Sequence, residues 1–219
     1  MIQRVYEQAS GCKSLSGLVV ATDDERIKQC VNGFGGKVCM TSRNHRSGTE
    51  RCNEATGFFG ELASDDIIIN VQGDEPFIDP HQLDQLAECF VNSKIQIGTL
   101  IKKIVSNDEL IDTNVVKVIF DKNLKAIYFS RQPLPFFRSK EPNGWLESGR
   151  YYKHVGLYGY AVGLLQEIVK LPESSLEKAE SLEQLRWIEN GYSIYLRETE
   201  YESIAIDSPA DLLKITNRT

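Results

Sequence analysis

Carboxylates stand where the apolar runs of this chain stop. Ile67 to Val71 lead directly into Gln72, Gly73, Asp74, Glu75 and Pro76, a pattern that reads as a buried strand ending in a tight acidic loop. Open α/β sheets keep their chemistry in such loops. Far downstream, Ile204, Ala205 and Ile206 precede Asp207, and Ser208 and Pro209 then open a short helix with a hydroxyl cap and proline in its first turn. If the two strand ends adjoin, Asp74 and Asp207 can hold a hard divalent ion such as Mg²⁺, with water and phosphate completing its octahedral shell. The alternative is that each carboxylate only terminates a strand or caps a turn by accepting a backbone N–H. A separation of 133 positions does not decide between them. Glu75 can ligate or shape the turn before Pro76.

A second concentration of polar groups runs from Ser42 to Arg51, with Arg43, His45, Arg46 and Arg51 among Ser47, Gly48 and Thr49. Planar guanidinium groups suit phosphate or carboxylate. The competing reading is a solvated loop in which Ser47 or Thr49 caps a helix and Glu50 lies in its first turn. His154, one of three histidines, can offer a ring N–H to an anionic or polyhydroxy ligand, or serve as a structural residue at a strand start. Arg131 has the same two readings, with a surface ion pair as the plainer one. Glycine-rich phosphate loops, a nucleophile elbow and zinc-type Cys/His groupings are absent.

These residues need elements to position them. Ile2, Val5, Tyr6 and Ala9 recur at helical spacing ahead of Gly11, so the chain opens on an amphipathic helix. Leu18 to Thr22 reads as a strand, Glu25 to Asn32 as a helix stopped by Gly33, and Val38 to Thr41 as a second strand. After the strand ending at Val71, a helix is expected from Pro80 to Phe90 and strands at Ile95 to Lys102 and Val115 to Asp121. Lys125 to Ser130 pairs with the last of these as a hairpin. Pro133, Pro135, Pro142, Gly144 and Gly149 mark a long irregular excursion. His154 to Ala161 is a glycine-broken strand, followed by helices from Gly163 to Val169 and from Leu176 to Glu189. Strands at Tyr192 to Leu196 and Ser203 to Ala205 come last. Strand and helix alternate as in a parallel α/β sheet.

A chain of 219 residues, 41% hydrophobic and 26% charged, can bury one sizeable core. Its net charge of −6 gives no general basis for holding a nucleic-acid backbone, so small-molecule partners are expected. Cys12, Cys30, Cys39, Cys52 and Cys89 are odd in number and lack metal spacing, which fits reduced thiols in the cytoplasm. No secretion signal opens the chain, and no apolar run reaches the roughly 20 residues that cross a bilayer.

Taken in order, Val20 to Asp23, Val38 to Thr41, Ser47 to Arg51, Asn70 to Pro76, Val116 to Val118, Tyr128 to Arg131, His154 to Tyr160, Leu182 to Arg186 and Asp207 to Leu212 resemble the 3-deoxy-manno-octulosonate (Kdo) cytidylyltransferases. The resemblance covers nearly the whole chain. It implies a single Rossmann-like nucleotidyltransferase domain over 1–219, α/β, with a mostly parallel central sheet and a hairpin-bearing dimerisation insertion within 114–162. It further implies a homodimer that transfers CMP from CTP to Kdo with release of pyrophosphate, in lipopolysaccharide synthesis. Asp74 and Asp207 would be the catalytic Mg²⁺ ligands. Ser47, Gly48, Thr49 and Arg51 would lie by the nucleotide, and Gln72, Arg131, His154, Tyr158, Glu183 and Gln184 by the sugar. A sister enzyme for 8-amino-Kdo or a sialic acid, and a sugar- or nucleotide-binding relic, are the alternatives. Members of the family begin with a strand and loop of the form IIPARxxSTRLPGKPL ahead of the piece matching Met1 to Tyr6. The resemblance implies that both are missing here, that the middle of the sheet stands open, and that transfer is impaired.

Overall fold

The computed structural model describes residues 1–92, 94–202 and 206. Helix α1 (Ile2–Ser10) comes first, as its spacing predicts, and buries Val5 and Ala9. Strand β1 (Val20–Thr22) leads to α2 (Glu25–Gly33), whose first turn is capped by Asp24 accepting from the Arg26 N–H. Strand β2 (Val38–Met40) pairs in parallel with β1. The polar segment beyond it divides in two. A loop runs to Ser47, and Ser47 then caps α3 (Gly48–Ala55), so the capped-helix reading describes its second half.

Strand β3 (Ile67–Asn70) ends at the acidic loop, and α4 (Pro80–Glu88) begins with a capping box from Asp79 and Gln82. Strand β4 (Ile97–Lys103) is followed by a short helix, α5 (Asn107–Ile111), which the sequence pattern does not signal. Strands β5 (Lys117–Phe120) and β6 (Ala126–Ser130) form the expected hairpin. Within the Pro/Gly-rich excursion, α6 (Trp145–Ser148) packs Trp145 and Tyr151 with Ile104 and Leu110 in a small separate core. The Trp145 Nε1–H donates to Lys140 O at 2.9 Å and the Tyr151 hydroxyl to Pro135 O at 2.9 Å. The excursion is therefore packed and hydrogen-bonded, although it lacks regular pattern.

Strand β7 (Tyr152–Ala161) is the longest, starting two residues before His154, and α7 (Val162–Ile168) follows at once. The single helix expected from Leu176 to Glu189 is two: α8 (Ser175–Glu180) and α9 (Gln184–Glu189). Ser181 between them takes φ 52°, ψ 51°, and the Arg131 guanidinium binds the carbonyls of Glu180 and Ser181. A cation on the last carbonyls ends α8 there. Strand β8 (Tyr195–Glu198) closes the described elements. The expected strand at Ser203 to Ala205 and the helix opening at Ser208 lie outside the described residues.

The main sheet has the order β6-β5-β7-β4-β8, with β3 against the other side of β7. Strand β7 runs antiparallel to β3 and β4, and β4 is parallel to β8, so β3, β4 and β8 share one direction. One face is covered by α7 and α9 through Ile97, Phe129, Tyr160, Leu165, Leu185 and Trp187. The other face is covered by Leu83 and Leu86 of α4 against Leu100 and Leu157. The β1–β2 pair forms a separate two-stranded sheet. Between β1 and β3 no ladder forms, and all four residues of β3 remain partly exposed, unusual for so apolar a strand in a parallel-type sheet.

Candidate functional site

The ends of β1, β2 and β3 meet at the amino end of α3. Arg51, in the first turn of α3, donates to Thr41 Oγ1 at 2.6 Å and pairs with Asp23 Oδ1 at 3.2 Å, so one guanidinium ties the loops beyond β1 and β2. Gly48 lies against the end of β3: a Cβ there would sit 3.3 Å from Gln72 Nε2 and 3.4 Å from Asn70 Nδ2. Ser47 fills two roles. Its oxygen accepts from the Glu50 N–H as helix cap, and its hydroxyl donates to Glu183 Oε1 at 2.8 Å. The Thr49 hydroxyl, almost wholly buried, donates to Glu183 Oε2 at 2.6 Å. Both oxygens of Glu183 are thus held by the first turn of α3, 136 and 134 positions away in sequence.

Most of the basic groups in the 42–51 loop are already matched. Arg46 makes two bonds to Glu50 Oε1, at 3.0 and 2.8 Å, and its backbone N–H donates to Glu50 Oε2 at 2.9 Å. That backbone bond is the main reason the Glu50 carboxyl lies below its usual range. His45 pairs with Glu54, which also accepts from the Ser42 N–H. The loop is an internally neutralised frame whose sequence resembles an anion cradle.

The acidic loop beyond β3 is a turn in which the Glu75 N–H donates to Gln72 O at 3.3 Å and Ile78 N–H to Glu75 O at 3.2 Å. Ile206 N–H donates to Asp74 O at 2.8 Å. The chain immediately before Asp207 therefore docks on Asp74, while Asp207 itself lies outside the described residues. Among the described residues no group of three or more His, Cys, Asp or Glu is arranged to hold a metal ion. Asp74 and Glu75 offer only hard oxygen donors. Such a set fits an ion that takes one or two carboxylates and leaves its other positions to water and phosphate, as Mg²⁺ does.

Apart from Gln72, which stands against Gly48, the residues read as sugar contacts fall into two groups. Glu183 and Gln184 begin α9, beside Tyr158 and Trp187. Burial and the Glu183 carboxylate raise the Tyr158 hydroxyl pKa well above its ordinary value. Among the described residues the Tyr158 hydroxyl, Gln184 Nε2 and Trp187 Nε1 are buried with no hydrogen-bond partner. Orphaned buried polar atoms are rare and costly, and several together mark a place prepared for a ligand or ordered water. Arg131 and His154 are engaged elsewhere. The Arg131 guanidinium donates to Glu180 O at 2.7 Å, Thr113 O at 3.0 Å and Ser181 O at 3.3 Å. It fixes the start of α9 and, through it, Glu183. His154 Nε2 lies 3.1 Å from Thr99 Oγ1, and the Thr99 hydroxyl reaches Leu157 O at 2.7 Å. Phe129 and Tyr158 flank the ring, and burial pushes its pKa down to about 3, so the imidazole is neutral.

Thr99, Asp23, Thr41 and Trp187 complete this arrangement without having been singled out in the sequence. Thr99 sits in the apolar first half of β4, between Ile97 and Ile101, at the β-bulge between Thr99 and Leu100. Its polarity in that setting was the one available signal. A cavity of about 830 Å³ adjoins the site, opening beside Asp23, Gly48, Arg51 and Gln72 and continuing between β1 and β3.

Comparison with known proteins gives one consistent result. A family model described as cytidylyltransferase matches residues 1–200. The 3-deoxy-manno-octulosonate cytidylyltransferase of Phocaeicola vulgatus is 52% identical over 217 residues, covering 98% of this chain and 84% of the relative. That of Thermodesulfovibrio yellowstonii is 48% identical over 216 residues, covering 97% and 85%. A solved structure of CMP:2-keto-3-deoxy-manno-octonic acid synthetase complexed with CTP superposes with a TM-score of 0.88 at 40% identity, over 99% of this chain and 86% of that one.

Proposed function

This chain belongs to the 3-deoxy-manno-octulosonate cytidylyltransferase family, and from that premise we propose that it transfers CMP from CTP to Kdo, producing CMP-Kdo and pyrophosphate for lipopolysaccharide synthesis. The observation that carries the reading is the juxtaposition of Glu183, locked to Ser47 and Thr49, with the unpartnered polar atoms of Tyr158, Gln184 and Trp187. A polyhydroxy acid offers the alternating donors and acceptors such a cluster lacks.

In the reaction the anomeric hydroxyl oxygen of the sugar bonds to the α-phosphorus of CTP. The bond from that phosphorus to the bridging oxygen breaks, pyrophosphate leaves, and the hydroxyl proton passes to solvent. Ser47, Gly48, Thr49 and Arg51 border the nucleotide, and Gln72, Tyr158, Glu183 and Gln184 orient the sugar. Arg131 and His154 act one step back, the first by fixing the start of α9 and the second by holding β7 against β4. Asp74 and Asp207 would hold Mg²⁺, which when bound neutralises phosphate charge. The docking of Ile206 on Asp74 supports that pairing. Catalysis then rests on orientation and electrostatics, with no covalent intermediate on the protein.

The apolar side chains left exposed on β6 and the excursion, Ile127 at 52% and Phe136 at 71%, support a homodimer built on the 114–162 region. No helix among the described residues is long and apolar enough to cross a membrane. The unpaired cysteines support a cytoplasmic setting. Incubation with CTP, Kdo and Mg²⁺ should yield CMP-Kdo and pyrophosphate, and Asp74→Asn should lower turnover at least a hundredfold. Faster transfer to 8-amino-Kdo or a sialic acid than to Kdo would overturn the assignment.

A further inference from the structure

The described residues after β8 lead from that strand toward the acidic loop, and side chains of the main sheet hold them on the way. Thr199 N–H donates to Ile101 O of β4 at 2.9 Å, and Lys102 Nζ donates to Glu200 O at 2.8 Å. Tyr201 stacks on His81 in the first turn of α4, with ring centroids 5.5 Å apart and planes 6° from parallel. Glu202 then bridges two lysines: one carboxylate oxygen lies 2.5 Å from Lys102 Nζ and the other 2.7 Å from Lys153 Nζ. Further along, Ile206 N–H donates to Asp74 O at 2.8 Å. Asp207 is the next residue in the chain.

Chain length does not fix where this segment arrives. From β8 across β4 and β7 to β3 is three strand spacings, about 14 Å, whereas the seven residue steps from Thr199 to Ile206 can reach about 24 Å. The side-chain bonds supply the missing constraint. Lys102 and Lys153 are direct cross-strand partners in the β4–β7 ladder, so their charges share one face and repel. Glu109 also pairs with Lys153, but among the described residues Glu202 is the only carboxylate paired with Lys102. Both lysine side chains are largely enclosed, so the carboxylate that answers them must come to one place. Removing a partner from an enclosed pair leaves the other charge uncompensated.

We propose that Lys102 and Lys153 are positioning residues for the transfer reaction: by gripping Glu202 they seat the segment after β8 on Asp74 and so fix the spacing of the carboxylates that take the metal ion. The proposal rests on the reading of Asp74 and Asp207 as the Mg²⁺ ligands. Its test uses Mn²⁺ alone, added to the full chain without CTP or Kdo and followed by water-proton relaxation, with amide hydrogen exchange as a second readout. Lys102→Met removes a positive charge, so electrostatics by itself gives tighter Mn²⁺ binding. Positioning gives the opposite: binding at least fivefold weaker, with exchange at the Ile206 amide at least tenfold faster. Lys102→Arg, which keeps the charge and the donors, should stay within twofold of the native chain, and Glu202→Gln should speed Ile206 exchange as Lys102→Met does. The Ala161 amide, bonded to Gln96 O at 2.9 Å at the far end of β7, should be unchanged throughout. In turnover assays of Lys102→Met the Mg²⁺ needed for half-maximal rate should rise at least fivefold while the KM for Kdo stays within twofold. The proposal is overturned if Lys102→Met leaves Mn²⁺ binding unchanged or tightens it, if Ile206 exchange is unaffected, if Lys102→Arg behaves as Lys102→Met, or if the KM for Kdo rises as much as the Mg²⁺ requirement. Equal acceleration at Ala161 also overturns it, since the lysines would then support the sheet alone. Asp74→Asn separates the two readings. If it weakens Mn²⁺ binding and Lys102→Met does not, only the proposal fails; if it leaves binding unchanged, the metal reading fails and the proposal with it.

Discussion

The neutral imidazole of His154 makes a quantitative pH prediction. An ordinary histidine titrates near 6.5, whereas burial between Phe129 and Tyr158 pushes this one down to about 3. The unfolded chain therefore binds a proton that the folded chain refuses, and stability falls as pH drops from 6.5 toward 3. Each pH unit inside that window costs about 1.4 kcal/mol. At pH 5 the contribution of this group is a loss of about 2 kcal/mol relative to pH 7.5. Carboxylates held low in the fold, such as Glu50 and Asp84, weaken stability only at more acid pH, so they leave this interval largely clear. The assay is urea unfolding at half-unit steps from pH 7.5 to 5, comparing the native chain with His154→Gln. Glutamine keeps a donor for Thr99 Oγ1 and cannot be charged, so the variant's curve should be flatter by about 2 kcal/mol over the interval. His45 and His81 are shared by both proteins and cancel in the difference. Equal slopes, or an imidazole ¹⁵N signal that reports protonation above pH 5, would refute the reasoning.

Other expectations follow from the bonds around the site. Thr49→Val removes one charge-assisted bond to Glu183, with an expected loss of about 1.5–3 kcal/mol in urea unfolding. It should raise the KM for Kdo more than it changes the KM for CTP. Arg186 pairs with Glu177, both nearly enclosed, with Arg186 Nε 2.7 Å from Glu177 Oε2. Arg186→Met should cost about 3–5 kcal/mol by stranding Glu177, and adding Glu177→Leu should recover most of it, as calorimetric Tm will show. Burial pushes the Cys52 thiol up to about 12, so iodoacetamide at pH 8 should label exposed Cys30 and leave Cys52 unmodified by mass spectrometry.

The layers of the fold were legible because period and punctuation agree over most elements. Ile67 to Asn70 could only be a strand, and Pro80 with Asp79 could only open a helix. The resemblance of the quoted pieces indicated the family, which the comparisons establish. The break between α8 and α9 was illegible because its cause, Arg131, reaches across 49 and 50 positions to two carbonyls. The loop from Ser42 to Arg51 left two readings open because its matching is split: Arg46 and His45 pair nearby with Glu50 and Glu54, whereas Asp23, which matches Arg51, lies on another element. The union of Ser47 and Thr49 with Glu183 has no local signature at all. His154 was found by its type, but its neutrality depends on burial, to which Phe129 contributes from another strand that no spacing rule connects to it.

The clasp of Glu183 on α3 has one more consequence. The first turn of a helix is a natural seat for phosphate, because its free N–H groups and dipole attract negative charge. Here a carboxylate belonging to the protein stands beside that turn, bonded to the side-chain hydroxyls of Ser47 and Thr49. A ligand presenting hydroxyl donors would find an acceptor at this corner. The same side chain that braces two helices thus also leaves a hydrogen-bond acceptor at the seam between them.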